Sequence, residues 1–182
     1  MALNATLYSF EIQLSDSDRN VYQALAFRVA QHPSETPEYL VTRVLAYCLE
    51  FTEGLSFSKG LSDPDVPALM IRDLSGTLTS WIEVGLPEPA RLHRAAKSAA
   101  RVAVYPHRDL SAWLPRVRTE AIHRAEKIEV YAIDRELISA LATRLSRRMR
   151  FDCVCAERHL YLSFDDGTID GSIARIQLTD AA

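Results

Sequence analysis

The order of elements through the middle of the chain constrains the fold most. "LSFSK" (Leu55–Lys59), "ALMIRD" (Ala68–Asp73) and "TLTSWIEVG" (Thr77–Gly85) each read as strands, joined by the loop "GLSDPDVP" and the turn "DLSG". Three consecutive strands predict an antiparallel meander. The Ala-rich "PEPARLHRAAKSAA" then reads as a helix, and "RVAVYP" as a strand. A helix between strands carries the chain to a further strand of the same sheet, with helices over the faces. The expected class is therefore α/β, a mixed sheet containing an antiparallel meander flanked by helices.

The flanking segments extend this frame. Leu7–Leu14 alternates, with Tyr8, Phe10, Ile12 and Leu14 on one face, and "SDSDRN" leads to a second strand over Val21–Gln31. A helix starts at "HPSETPE". Thr36 suits the cap, Pro37 the first helical position and Glu38 the positive end of the dipole. Leu40, Val44, Leu45 and Cys48 give that helix one apolar stripe. "LSAWLPRVRTEAIHRA" reads as a helix broken or kinked near Pro115. "KIEVYAI" is a strand, and "DRELISALATRLS" a helix capped by Asp134. Three tail strands follow, around Met149–Ala156, His159–Phe164 and Ile169–Leu178. No repeat or linker divides the chain, so a single domain over 1–182 is expected.

No apolar run approaches the roughly 18–20 residues of a membrane span. "MALNATLYSF" lacks a basic start and a long apolar segment, so a cytoplasmic protein is expected; the oligomeric state is open, with a monomer favoured. Three cysteines, Cys48, Cys153 and Cys155, make no disulfide framework, and the five histidines show no metal-ligand spacing. The net charge of −3 hides an uneven distribution. Residues 91–150 carry 14 basic against 6 acidic groups, or +8, while the flanking parts are acidic. A basic segment in an acidic chain suits an anionic partner such as nucleic acid, or else a set of solvated arginine faces.

Glu83 is the only charge in "SWIEVGL", a run that otherwise reads as buried. A hairpin turning near Leu74–Ser75 brings Asp65, and with it Asp63, opposite Glu83 and leaves Asp73 in the turn. Two carboxylates at one sheet end can hold Mg²⁺, with Mn²⁺ as substitute, and Glu38 or Glu35 can add a third. The competing roles are a loop aspartate for Asp65, an arginine-paired carboxylate for Glu83 (with Arg43 one partner in reach) and a helix-start acid for Glu38. Arg91, Arg94, Lys97 and Arg101 recur at three- and four-residue spacing, as a phosphate-facing or merely solvated helix face. "RLSRRMR", with Arg147 and Arg148, is a second basic cluster, either a phosphate contact or a favourable helix end. "HPSET" can seat an anion or cap its helix.

Pro64-Asp65, seventeen residues, then Glu83-Val84-Gly85 resembles the PD-(D/E)XK nuclease pattern, whose common core has the same helix, meander, helix, strand order. "MALNATLY", "DRN", "HPSET", "LSFSKGLS", "DLSG", "WIEVGLP" and "VAVY" resemble, in order and spacing, the YaeQ family of bacterial proteins over essentially the whole chain. The resemblance implies a restriction-endonuclease-like core and a Mg²⁺-dependent phosphodiester hydrolase, with Asp65 and Glu83 as catalytic metal ligands; Glu38 at the helix start is expected to support the metal. The pattern's lysine is replaced by Gly85, and Leu86 stands where relatives place Gln. Lys97 is the first candidate for a relocated cation and Arg94 the second. A non-catalytic nucleic-acid-binding or protein-interaction module on the same fold is the alternative.

Overall fold

A computed structural model describes residues 4–58 and 65–179. In chain order the elements are β1 (Thr6–Asp16), β2 (Val21–Gln31), α1 (Pro37–Leu49), β3 (Leu55–Phe57), β4 (Leu69–Arg72), β5 (Leu78–Val84), α2 (Pro89–Ser98), β6 (Arg101–Tyr105), α3 (Trp113–Arg118), one 3₁₀ turn (Ala125–Lys127), β7 (Glu129–Ile133), α4 (Arg135–Thr143), β8 (Arg148–Ala156), β9 (His159–Phe164) and β10 (Gly167–Gln177). The architecture is mixed α/β. Among the described residues no helix is long and apolar enough to cross a membrane.

The chain forms two compact units, Met1–Phe51 with Ile133–Ile173 and Thr52–Ala132 with Ala174–Ala182. The changeovers leave no compositional mark, because one falls at the end of β7 and another inside β10.

In the first unit β1 and β2 form the expected hairpin, from Thr6↔Gln31 to Asp16↔Val21. β8 lies parallel to β1, with Ser9 opposite Arg148, and β8, β9 and β10 form an antiparallel series. One face carries the core. It comprises Phe10, Ile12 and Leu14 of β1, Leu25 and Val29 of β2, Met149, Phe151 and Cys153 of β8, and Leu160 and Leu162 of β9. The α1 stripe is fully buried at Leu40, Val44, Leu45 and Cys48, as the 3.6-residue spacing predicts. α4 contributes Leu137, Ile138 and Leu141. A Cβ at Gly171 would stand 2.8 Å from the Cβ atoms of Asp134 and Leu137, so the approach of α4 to β10 requires glycine there.

The second unit contains the predicted meander, β3–β4–β5 antiparallel, followed through α2 by β6 parallel to β5, and then by β7 parallel to β6. Leu92, Ala95 and Ala96 of α2 pack with Trp81, Val102, Val104, Trp113, Val117 and Val130 in its core. The register differs from the expectation. Leu69 pairs with Ile82, and a bulge interrupts the ladder at Ile71/Arg72. The ladder ends at Leu69, so Asp65 lies beyond it rather than opposite Glu83. Pro67 at this end has no N–H with which to continue pairing. The long helix read over 110–125 is also shorter. Pro115 is the third helical residue, where its missing N–H costs nothing, and α3 stops at Arg118.

Candidate functional site

β5 is buried on both faces, from Ser80 to Val84, so Glu83 enters a true interior at 3 % exposure. Burial holds its carboxyl above the ordinary carboxylate range, against the opposing pull of the Arg91 charge and two N–H donors. Trp81, two residues earlier on the same strand face, donates its Nε1–H to Glu83 Oε1 at 2.5 Å. Arg91 Nε donates to the same oxygen at 2.6 Å. The Arg91 Nη2 donates to the Val66 carbonyl at 2.8 Å, and its guanidinium lies 5.7 Å from the Trp81 ring centre. One side chain of α2 therefore ties together β5, the segment after Asp65 and the helix itself.

Arg94, one turn on, meets Asp65 Oδ1 at 3.4 Å in a pair whose side chains are 54 % and 76 % exposed. A hollow of about 480 Å³, lined by Pro89, Ala90, His93, Arg94, Glu120 and Ala121, opens beside it. Lys97 is exposed on the next turn. Arg101 is on β6, where Nε and Nη2 both donate to Glu129 Oε2, at 3.0 and 2.6 Å, and Tyr131 adds its hydroxyl at 3.0 Å. Asp65, Glu83, Arg91 and Arg94 are thus gathered around the start of α2, while Lys97 and Arg101 lie further along. Asp73 takes the turn role, its Oδ1 accepting from the backbone N–H groups of Ser75 and Thr77. Asp63 lies outside the described residues.

The backbone explains why no lysine follows Glu83. Gly85 has φ +105°, and its N–H donates to the Tyr105 carbonyl at 2.9 Å where β5 ends. L side chains are strained at that φ. A divalent cation would need carboxylate lone pairs facing it, but Glu83 Oε1 receives two N–H donors and Asp65 faces Arg94. As arranged, the donor set fits two guanidinium groups rather than Mg²⁺.

The remaining expected residues lie in the first unit. Thr36 caps α1, accepting from Tyr39 N at 3.2 Å, with Pro37 at the first turn as read. Glu38 is half-buried, and its carbonyl accepts from Thr42 Oγ1. Arg43 pairs with Glu35 at 3.1 Å rather than with Glu83, and gives Nη2 to the Ala30 carbonyl at 2.6 Å. Burial holds Glu35 above its usual range despite Arg43. Arg147 lies over the Tyr8 ring, and Arg148 is exposed on β8.

Sequence reading missed Trp81 as the partner of Glu83, although their i, i+2 spacing on a strand places both on one face. It also missed a group formed by Asp16, Asp18 and Cys155, whose ligand atoms lie within 4.8 Å of one another. Each has another task. Asp16 holds Arg19, which caps the carbonyls of Cys48 and Phe51 at the α1 C-terminus. Asp18 accepts from Glu157 N at 2.7 Å and Arg158 N at 2.9 Å. Burial pushes the Cys155 thiol up to about 12, so it stays protonated near neutrality.

The family profile described as "YaeQ protein" matches residues 1–173. "Uncharacterized protein YaeQ" of Escherichia coli (strain K12) is 29 % identical over 179 residues, covering 97 % of this chain and 98 % of that one. The Salmonella typhi protein of the same name is 31 % identical over 165 residues, 90 % of this chain and 91 % of that one. The crystal structure of a YaeQ protein from Pseudomonas syringae superposes with a TM-score of 0.83 at 30 % identity, covering 94 % of this chain and 96 % of that one. One from Xanthomonas axonopodis pv. citri gives 0.80 at 30 % identity, over 96 % and 99 %.

Proposed function

This chain belongs to the YaeQ family, and on that premise we propose that it binds the phosphodiester backbone of nucleic acid along the exposed side of α2 without cutting it. The observation that carries the reading is the pairing of both motif carboxylates with arginines of one helix, Arg91 on Glu83 and Arg94 on Asp65. The two pairs balance in charge, so the positive charge open to a phosphate comes from Lys97 and from Arg94 when it leaves its long, exposed contact with Asp65. The Arg91 guanidinium is spent on fixing Glu83 and Val66. Arg94 and Lys97 are exposed and three residues apart, so they face solvent as neighbours. The hollow beside Arg94 gives a phosphate a concave seat. The test is anisotropy of a labelled oligonucleotide titrated with salt and with Mn²⁺. Binding that weakens steeply with salt, needs no Mn²⁺ and falls in an Arg94→Ala/Lys97→Ala double variant supports it. Binding that ignores both residues refutes it.

One observation favours a second reading, a Mg²⁺-dependent nuclease on a restriction-endonuclease-like core. The Asp65–Arg94 contact is long and exposed, so a cation can compete for that carboxylate. Glu83 would have to be released by Arg91 and Trp81. With a cation bound, Asp65 and Glu83 would hold it, and Lys97 or Arg94 would neutralise the phosphate. The cation would supply activation of water. Mn²⁺-dependent cleavage that disappears in both Asp65→Asn and Glu83→Gln would establish this reading over the first.

A further inference from the structure

The face of the first unit's sheet opposite its core carries two features that the α2 site does not explain. We propose that it binds a single strand of nucleic acid, with phosphates at an arginine row and bases on an aromatic row. The proposal rests on the nucleic-acid reading above but uses a different surface.

The register defines both rows. Arg28 pairs with Ser9, and Ser9 with Arg148, so the two arginines stand either side of a small serine. Two strand spacings put their Cα atoms about 10 Å apart. Arg150 joins them through Glu11, to which it donates Nε at 2.9 Å and Nη2 at 2.6 Å. A groove of about 600 Å³ lies here, lined by Arg28, Arg148, Arg150, Ser9, Ala26 and Glu11 among others. Its three guanidinium groups face two carboxylates, Glu11 paired with Arg150 and Asp165 close enough to Arg150 to support its charge, and Arg28 and Arg148 make no ion pair among the described residues. That excess of positive charge complements a phosphate chain.

The second row crosses the same face six residues away, about 20 Å along the strands. Tyr22 pairs with Ser15, Ser15 with Val154 and Val154 with Tyr161. Tyr22 is 62 % exposed, Val154 37 % and Tyr161 42 %. Among the described residues, three of the five large exposed hydrophobic side chains thus form one line on this face, which also carries exposed Leu7 beyond the arginine row. The Tyr161 ring is packed against His159 at 4.7 Å between centres, and His159 Nε2 meets Asp170 at 2.7 Å. This holds the ring as a platform. Exposed aromatics stack unpaired bases irrespective of sequence, whereas a duplex keeps its bases inside. Asp152 lies between the rows as an exposed carboxylate that opposes the strand.

The test uses the full chain with a labelled single-stranded oligonucleotide and a duplex of equal length. The single strand should bind more tightly than the duplex. An Arg28→Ala/Arg148→Ala variant should reduce the salt slope by about 1.4. Tyr161→Ala should weaken binding about tenfold with the slope unchanged, and Asp152→Asn should tighten it. Inorganic phosphate should compete weakly at the arginines alone. Loss of binding only in the Arg94/Lys97 variant overturns this proposal and leaves the α2 reading standing. Loss only in the Arg28/Arg148 and Tyr161 variants supports this proposal and removes the α2 reading. Equal affinity for duplex and single strand, or no binding of either, overturns it.

Discussion

Glu83→Ala should destabilise the second unit by about 3 kcal/mol. The truncation orphans the buried Trp81 Nε1–H, and an unsatisfied buried donor costs about 1–3 kcal/mol. It also strands the Arg91 charge. Removing one partner of a buried pair costs about 3–5 kcal/mol. Arg91 is 23 % exposed at its side chain and keeps the Val66 carbonyl, so about 1–2 kcal/mol is the better share. Burial already works against the charged form of Glu83, which keeps the total near the middle of the combined range. Both tryptophans, Trp81 and Trp113, lie in the second unit, so urea unfolding followed by tryptophan fluorescence reports on it directly. The midpoint of thermal unfolding of that unit should fall by roughly 12–24 °C. A cycle with Arg91→Ala should give a coupling of at least 1 kcal/mol, because either single truncation already removes the pair. Glu83→Met with Arg91→Met should recover only the share due to the stranded Arg91 charge, because apolar replacement of a buried pair is often nearly neutral but the Trp81 Nε1–H still lacks its acceptor. A loss under 1 kcal/mol for Glu83→Ala, or a coupling near zero, would refute the structural role of this carboxylate and return it to the pool of free metal ligands.

Gly85→Lys restores the nuclease-pattern lysine at a φ of +105°, and should cost about 2 kcal/mol in urea unfolding without producing Mn²⁺-dependent cleavage. Asp18→Ala should loosen the β8–β9 turn, where Glu157 and Arg158 sit at φ +52° and +56° with their N–H groups held by Asp18; about 1 kcal/mol is expected, partly rescued by Arg158→Gly. The Asp18 carboxyl is held low chiefly by those backbone N–H groups, so its contribution is present above the unfolded value of 3.8 and is lost as pH falls through the folded one. Glu35 and Glu83 behave in the opposite sense: burial raises both above 4.5, so the fold binds extra protons just above that pH, and stability declines as pH rises through their folded values. Glu83→Gln should remove its share of that decline, which a pH series of urea midpoints would detect.

Local patterning made most elements of this fold legible. The alternation in β1, the Thr36-Pro37 start of α1, the meander and the β5–α2–β6 crossover all follow from spacing and caps. What was hidden depends on distant pairing. β8 lies parallel to β1 across more than 130 residues of chain, and nothing in either strand names the other. The position of Asp65 depended on a bulge at Ile71/Arg72 and an early end to β4, which a hairpin count assumes away. Arg91 read as one member of a basic helix face. Its inward role is visible only once α2 is laid against Trp81, because i, i+3 spacing defines a face but not what covers it.

Glycine at position 85 and the inward turn of Arg91 are physically linked. A nuclease-type site needs its acid desolvated enough to hold a cation tightly yet left with lone pairs to give it. Glu83 is desolvated, but its Oε1 is filled by Trp81 and Arg91. With a guanidinium in that position, a lysine two residues on would add a second positive charge beside it, unpaired and in a low dielectric where like charges repel strongly. Gly85 avoids that repulsion and lets the chain turn at φ +105° directly into the "LPEP" approach to α2. The turn delivers Arg91 to Glu83. A lysine introduced at position 85 would therefore stand against Arg91. Arg91→Ala, which frees Glu83 Oε1, should bind Mn²⁺ more tightly than the unaltered chain, and adding Gly85→Lys should weaken that binding, since the lysine cation repels Mn²⁺; tighter Mn²⁺ binding by the double variant in calorimetry would refute the charge argument.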